Sequence, residues 1–179
     1  METELVAAAP SAHQKATCCM EAQYDKMGTM QIYLLRHGIA EDPRPGQPDS
    51  ERILTPEGRK RLRAIKRRVG LAAMCTLSSP YLRAMQTAAM FSDEIVQTPT
   101  LEPGANPEDA WNEIRLFKDK PQILCSSHEP LCGRLAAYLL NAPSLQIDVK
   151  KGALIRIDVE RFGPKPQGTL KWMIVSKLA

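Results

Sequence analysis

Leu34-Leu35-Arg36-His37-Gly38 closes an apolar run that begins at Ile32, and it decides the fold. A short apolar run that ends in a guanidinium, an imidazole and a glycine has the form of a buried strand handing over to a loop. In an open α/β sheet, ligands bind in the crevice outside the carboxyl ends of the strands. Arg36 and His37 would therefore stand in such a crevice as an anion fork beside a base or nucleophile. Gly38 permits a sharp turn or a close approach of other groups.

Working outward, strand and helix signals alternate from Met30 onward. Met30 to Arg36 reads as the first strand, followed by a polar, Pro-rich loop from Glu41 to about Arg52. Thr55 is a helix N-cap with Pro56 at the first helical position. That helix carries Leu62, Ile65 and Val69 on one face and stops at Gly70. Met74 to Leu77 is a short buried strand. Ser79-Pro80 repeats the cap-then-proline signal and predicts a second helix to about Ser92, with Leu82, Met85 and Ala89 inward. Ile95 to Val96 is a weak strand, and Asn106-Pro107 opens a third helix toward Phe117. Pro121 to Cys125 is a fourth strand, and Pro130 opens a helix with Leu131, Cys132, Leu135 and Leu139 on its apolar face. Ala153 to Val159 and Thr169 to Val175 are β-rich runs joined in hairpin fashion through Gly163-Pro164-Lys165-Pro166-Gln167-Gly168. The order predicts a three-layer α/β/α sandwich on a mostly parallel sheet, with a late antiparallel strand at its edge.

The 179 residues suit one domain with a substantial core. Residues 1–28 show no sustained period and read as a poorly ordered extension; 29–179 form the domain. The acidic start Met1-Glu2-Thr3-Glu4 is unlike a signal peptide, and Met27 and Met30 are also plausible starts. No run reaches the length of a membrane span. The five cysteines are odd in number and contain no CxxC pair, which argues against a disulfide framework or a zinc site and fits a reducing cytoplasm. His13 with Cys18 and Cys19 is better read as an unstructured leader than as a metal site.

Three strand-to-helix junctions carry chemistry: Arg36-His37, Ser78-Ser79-Pro80 with Arg83, and Ser126-Ser127-His128-Glu129-Pro130. In a parallel sheet these junctions share one edge. Arg83 lies in a first helical turn, and its side chain tilts back toward the helix N-terminus. A lone histidine or arginine is more often structural. Several at equivalent topological points instead describe a pocket for a phosphoryl group, with arginine forks matched to phosphate oxygens and helix N-termini that attract anions.

Leu35-Arg36-His37-Gly38, Leu54-Thr55-Pro56-Glu57-Gly58, Ser78-Ser79-Pro80 with Arg83-Ala84-Met85-Gln86-Thr87-Ala88, and His128-Glu129-Pro130 together resemble the histidine phosphatase superfamily. Its fold is phosphoglycerate-mutase-like, and the compact length is most similar to the SixA-type phosphohistidine phosphatases. The resemblance spans about Met30 to Val175. It implies that His37 is the nucleophile that is transiently phosphorylated, and that Arg36, Arg83 and His128 bind the phosphoryl oxygens. It implies no metal and no organic cofactor. Ile39 and Ser127 depart from the common pattern, at positions where relatives often carry an acidic or polar residue and a glycine.

A phosphate ester gains from a general acid, for which Glu102 and Glu129 are the candidates; Glu129 could instead cap its helix. A phosphohistidine needs the acid less, because its leaving imidazole has a conjugate acid near pKa ~6.5. Only about 45 positions lie between Arg83 and His128. That leaves little material for a lid, and an open pocket admitting a protein side chain is expected. The expected function is thus a protein phosphohistidine phosphatase. A small-molecule phosphomonoesterase using Glu102 and a non-catalytic phospho-ligand binder are the alternatives.

Seven of the ten residues from Arg59 to Arg68 are basic. They read first as a solvated helix face, with Arg59, Arg63 and Lys66 able to pair with nearby acids. Docking of an acidic partner such as a phosphotransfer domain is the functional reading. Nucleic acid is disfavoured because aromatic stacking platforms are missing. Oligomeric state is left open.

Overall fold

The computed structural model describes residues 28–71 and 74–176. The expectation for residues 1–28 therefore lies outside the described residues except at Gly28, as do His13, Cys18 and Cys19. Six strands form one sheet: β1 (Met30–Arg36), β2 (Cys75–Ser78), β3 (Ile95–Gln97), β4 (Gln122–Ser127), β5 (Leu154–Arg161) and β6 (Gln167–Ile174), in the order β3-β2-β4-β1-β5-β6. β3, β2, β4 and β1 are mutually parallel. β5 runs against β1, and β6 completes the hairpin at the edge of the sheet.

The helices are α1 (Pro56–Val69), α2 (Leu82–Ala88), α3 (Pro107–Ile114) and α4 (Leu131–Leu139). Strand alternation in β1 divides the core. Ile32 and Leu34 face Ala110, Trp111 and Ile114 of α3 and Leu131, Leu135 and Leu139 of α4. Tyr33 and Leu35 face Leu62 and Ile65 of α1. The three-layer arrangement follows directly from those two apolar faces.

Capping chemistry fixes the helix ends. Thr55 Oγ1 accepts the Gly58 N–H at 3.0 Å, and Gly70 closes α1 in the left-handed conformation at φ 59°. Asn106 caps α3 by accepting the Glu108 N–H. α2 departs from the sequence reading. It begins at Leu82, two residues after the proline, and has no side-chain cap. Its buried residues are Arg83, Ala84, Thr87 and Ala88, whereas Leu82 is 38% exposed and Ala89 is exposed. The apolar-face reading fails because this short helix buries its polar groups toward the strand ends.

Two glycines admit close approaches around His37. A Cβ on Gly38 would come within 2.8 Å of Leu62 Cδ1. A Cβ on Gly58 would lie 2.3 Å from the Ile39 carbonyl oxygen, so the start of α1 is pressed onto the chain that leaves His37. Flexible leucine atoms can shift, but a backbone carbonyl in a paired segment cannot. Gly58→Ala is expected to destabilise by about 1–3 kcal/mol, as overpacking does. Urea unfolding should show a lower midpoint at unchanged slope.

Candidate active site

The chemistry-bearing residues hang from one line of backbone hydrogen bonds across the sheet's carboxyl edge. Thr98 N–H donates to Ser78 O, Ser79 N–H to Ser126 O, His37 N–H to Ser127 O, and Gly152 N–H to His37 O, at 2.9, 3.0, 2.9 and 3.0 Å. His37, Arg83 and His128 are 6%, 4% and 1% exposed. The imidazoles of His37 and His128 lie 4.9 Å apart between centroids at 56°.

The tautomer of His37 follows from its two partners. Arg83 Nε–H can only donate, and it lies 3.2 Å from His37 Nε2. Nε2 must therefore carry the lone pair, and the proton sits on Nδ1, which donates to the Gly38 carbonyl at 2.7 Å. Burial, aided by the nearby charges of Arg83, Arg36 and Lys151, pushes the His37 pKa down to about 3. The ring is a neutral imidazole with its nucleophilic nitrogen aimed at Arg83. Gly38 N–H in turn donates to Thr87 Oγ1, whose hydroxyl donates to the Arg83 carbonyl, tying strand end to helix.

His128 Nε2 is 2.9 Å from Ser79 Oγ, which also accepts the Tyr81 N–H at 3.3 Å. Ser79, expected as a helix cap, is used to position this imidazole. The ring packs edge-on against Tyr81 at 5.0 Å, and its buried Nδ1 has no hydrogen-bond partner among the described residues. Burial, then the neighbouring charges of His37 and Arg83, brings its pKa to about 3 as well.

Arg36 Nη1 donates to the Val149 carbonyl at 2.6 Å, and its buried Nε has no hydrogen-bond partner among the described residues. Arg83 is held by Asp49, through Nη1 to the carbonyl at 2.5 Å and Nη2 to Oδ2 at 2.8 Å. Hydrogen bonds from Arg52 and then Arg83 hold the Asp49 carboxyl below the usual range. Asp49 was not singled out by the sequence. It lies in the Pro-rich loop, whose base is closed by the Ala40–Leu54 bridge and by Glu41 N–H to Ile53 O at 2.9 Å. No periodicity or motif marks it. Its bond to Arg83 sets the loop before α1 beside the site.

The two candidate acids are placed differently. Glu102 follows a 3-10 turn (Pro99–Leu101) whose last carbonyl accepts from Ser127 Oγ at 2.7 Å. Its half-buried carboxylate has no side-chain partner among the described residues. Glu129 folds back over α4. Burial raises its pKa, while the N–H groups of Gly133 and Val149 and the charge of Arg36 act the other way. Its carboxylate lies against Gly133, and its buried Oε1 has no hydrogen-bond partner among the described residues. Among the described residues, no group of three or more His, Cys, Asp or Glu side chains is arranged to hold a metal ion, and no helix is long and apolar enough to cross a membrane.

The basic helix is only partly paired. Arg61 binds Glu57 at 2.7 Å, and Arg59 binds the Gln86 amide oxygen at 3.0 Å instead of an acid. Arg63 and Lys66 have no ion-pair partner among the described residues.

Comparisons with known proteins bear on the family and the fold. Residues 32–116 match the model of the histidine phosphatase superfamily (branch 1). An uncharacterized protein of Picosynechococcus sp. is 30% identical over 137 residues, covering 70% of this chain and 83% of that protein. The fold is similar to that of the protein histidine phosphatase SixA complexed with tungstate, with TM-score 0.72 and 24% identity over 83% of this chain and 99% of that one. It is also similar to that of a phosphoserine phosphatase mutant from Entamoeba histolytica in complex with phosphoserine, with TM-score 0.65 and 15% identity over 83% and 98%. The ordered strand-end residues and the matching sequence model make this chain a member of the histidine phosphatase superfamily, with a phosphoglycerate-mutase-like fold and phosphatase chemistry.

Proposed function

We propose that this phosphatase removes the phosphoryl group from a phosphohistidine on a protein, through a phosphorylated His37. The observation that carries the covalent route is the fixed tautomer. The Nδ1 proton is committed to the Gly38 carbonyl, and Nε2 presents its lone pair beside Arg83. An incoming phosphoryl group takes the Arg83 fork, releasing Nε2 to attack phosphorus in line. The P–N bond to the substrate imidazole breaks as the P–Nε2 bond forms. The departing ring keeps the electron pair and, with a proton already on its other nitrogen, leaves as a neutral, weakly basic imidazole. Water then attacks phospho-His37, returning inorganic phosphate and free Nε2. Arg36, Arg83 and His128 offset the equatorial oxygen charge, as phosphoryl transfer requires.

The substrate class rests on the acids. Asp49 is held as an anion by Arg52 and Arg83, and Glu129 is buried against Gly133 at the start of α4. A reaction whose leaving group needs little protonation suits such a site. The similarity to a protein histidine phosphatase points the same way. Esterase activity is the second reading, favoured by the unpartnered Glu102 beside the Ser127 segment. In the proposed reaction guanidinium groups meet the charge, so no metal or cofactor takes part.

The decisive comparison uses a phosphohistidine protein and a panel of phosphate esters, both with EDTA present. Wild type should turn over the phosphohistidine protein and yield acid-labile phosphate on the enzyme. His37→Ala should lose the label and at least ~10³-fold in rate, the scale seen when a nucleophile is removed. Glu102→Gln should spare phosphohistidine cleavage. Efficient ester hydrolysis with no action on phosphohistidine would overturn the substrate assignment, and binding without labelling would overturn the enzyme.

Asp49 competes with phosphate for Arg83. Asp49→Asn should therefore tighten inhibition by inorganic phosphate roughly 5- to 20-fold, the value of about one charge-assisted hydrogen bond. An unchanged inhibition constant would show that the carboxylate yields its place at no cost.

Both imidazoles should stay neutral from pH 8 to pH 5 in ¹⁵N spectra, with His37 protonated on Nδ1. Their folded pKa values lie at about 3 against an ordinary 6.5. Between those limits the unfolded chain binds more protons, so stability falls as pH is lowered from about 6.5 toward 3. His37→Gln/His128→Gln should flatten that dependence in urea midpoints.

A further inference from the structure

Beside Arg36 lies a pocket of about 720 Å³ whose walls include none of His37, Arg83 and His128. Its charged walls are Arg36, Arg61 of α1, and Lys150 and Lys151; Ile39 and Val175 supply apolar surface. We propose that this pocket binds acidic side chains flanking the phosphorylated residue of a protein substrate. The proposal rests on the protein-phosphohistidine reading and adds to it a recognition element.

The lysines are built into the site. Gly152 adopts φ 74°, and its N–H donates to the carbonyls of both Arg36 and His37 at 3.2 and 3.0 Å. Ala153 N–H donates to Lys150 O at 2.8 Å, and Ser176 Oγ donates to Lys151 O at 2.9 Å. A Cβ on Gly152 would lie 3.1 Å from Ser176 Oγ, so the turn is closed against the end of β6 as well. The Lys150-Lys151 backbone is thus clamped to the residues that hold the nucleophile. Across the pocket, Arg36 is fixed by its bond to Val149 O.

The charges are incompletely balanced. Glu57 pairs with Arg61 and Asp148 with Lys150, and these acids are 50% and 69% exposed. Lys151 has no acidic partner among the described residues. Four cations thus face a concave wall with two acids at their disposal, and such a wall concentrates anions. The cations come from three separate elements, and the pocket volume is far larger than one phosphate. A short run of carboxylates meets that spacing better than a single compact dianion does. Ile39, where relatives often have an acidic or polar residue, keeps this wall free of a competing carboxylate.

Two phosphohistidine peptides of equal length, one with Glu at the flanking positions and one with Gln, test the proposal on the full chain. A bisphosphate ester and its monophosphate analogue form the second pair. Wild type should prefer the Glu peptide at least tenfold in kcat/KM at low salt, and added salt should erase the preference. Lys150→Gln/Lys151→Gln and Arg61→Gln should each reduce the ratio between the two peptides, whatever they do to the rate on either; circular dichroism would establish that they fold. Equal use of the two peptides by wild type would overturn the pocket assignment while leaving the phosphohistidine reading intact. Failure to cleave either peptide, with a bisphosphate preference that these variants abolish, would overturn both and assign the pocket to a second phosphate.

Discussion

Everything in the site depends on the backbone line that runs across the carboxyl edge of the sheet. Ser78, Ser126 and Ser127 each accept one link, and His37 donates one and accepts another from Gly152 at the far end. Parallel strands supply such a line because their ends stop together on one edge. β1 is central, with β4 on one side and β5 on the other, so His37 is gripped from both flanks. The neighbouring residues Arg36 and His37 then take different partners. One guanidinium reaches the Val149 segment while the imidazole meets Arg83.

That placement sets the electrostatics. Two imidazoles and a guanidinium almost out of water cannot all be charged, and the rings yield because arginine does not deprotonate in proteins. A neutral His37 is the form a nucleophile needs. The arginine charge is met by Asp49 until an anion arrives. A phosphoryl group reverses the local field, since its negative oxygens favour the protonated form of His128. The same arrangement that keeps the rings neutral when the site is free thus lets one of them become a cation when charge develops on phosphorus.

Much of this was legible in the sequence, for stated reasons. β1, α1 and α4 were readable because each has an apolar face of the right period, and Thr55 and Gly70 carry standard cap chemistry. Arg36, His37, Arg83 and His128 were readable as a set because strand-to-helix junctions share an edge; the structure brings His37, Arg83 and His128 into one cluster with Arg36 beside it. α2 misled because its buried face mixes two alanines with polar groups: Arg83 and Thr87 turn inward with Ala84 and Ala88, and the apolar Leu82 is left out. Ser79 misled for the same reason, its hydroxyl going to His128. Asp49 and the Lys150-Lys151 turn were illegible, since their roles arise from long-range contacts that no local pattern encodes.

The acids bear on what the site is built to cleave. Asp49, although bonded to Arg83, is held anionic by two guanidiniums and is poorly suited to donate a proton. Glu129 has a raised pKa, the usual property of an acid catalyst. It lies against Gly133 at the start of α4, beside the charge of Arg36, and burial is the first cause of its shift. A raised pKa here reports burial at a structural joint. The chain therefore invests its carboxylates in holding arginines and helix ends, and its cations in receiving phosphoryl charge. Such a division favours substrates that bring their own good leaving group, and an imidazole on phosphorus is one.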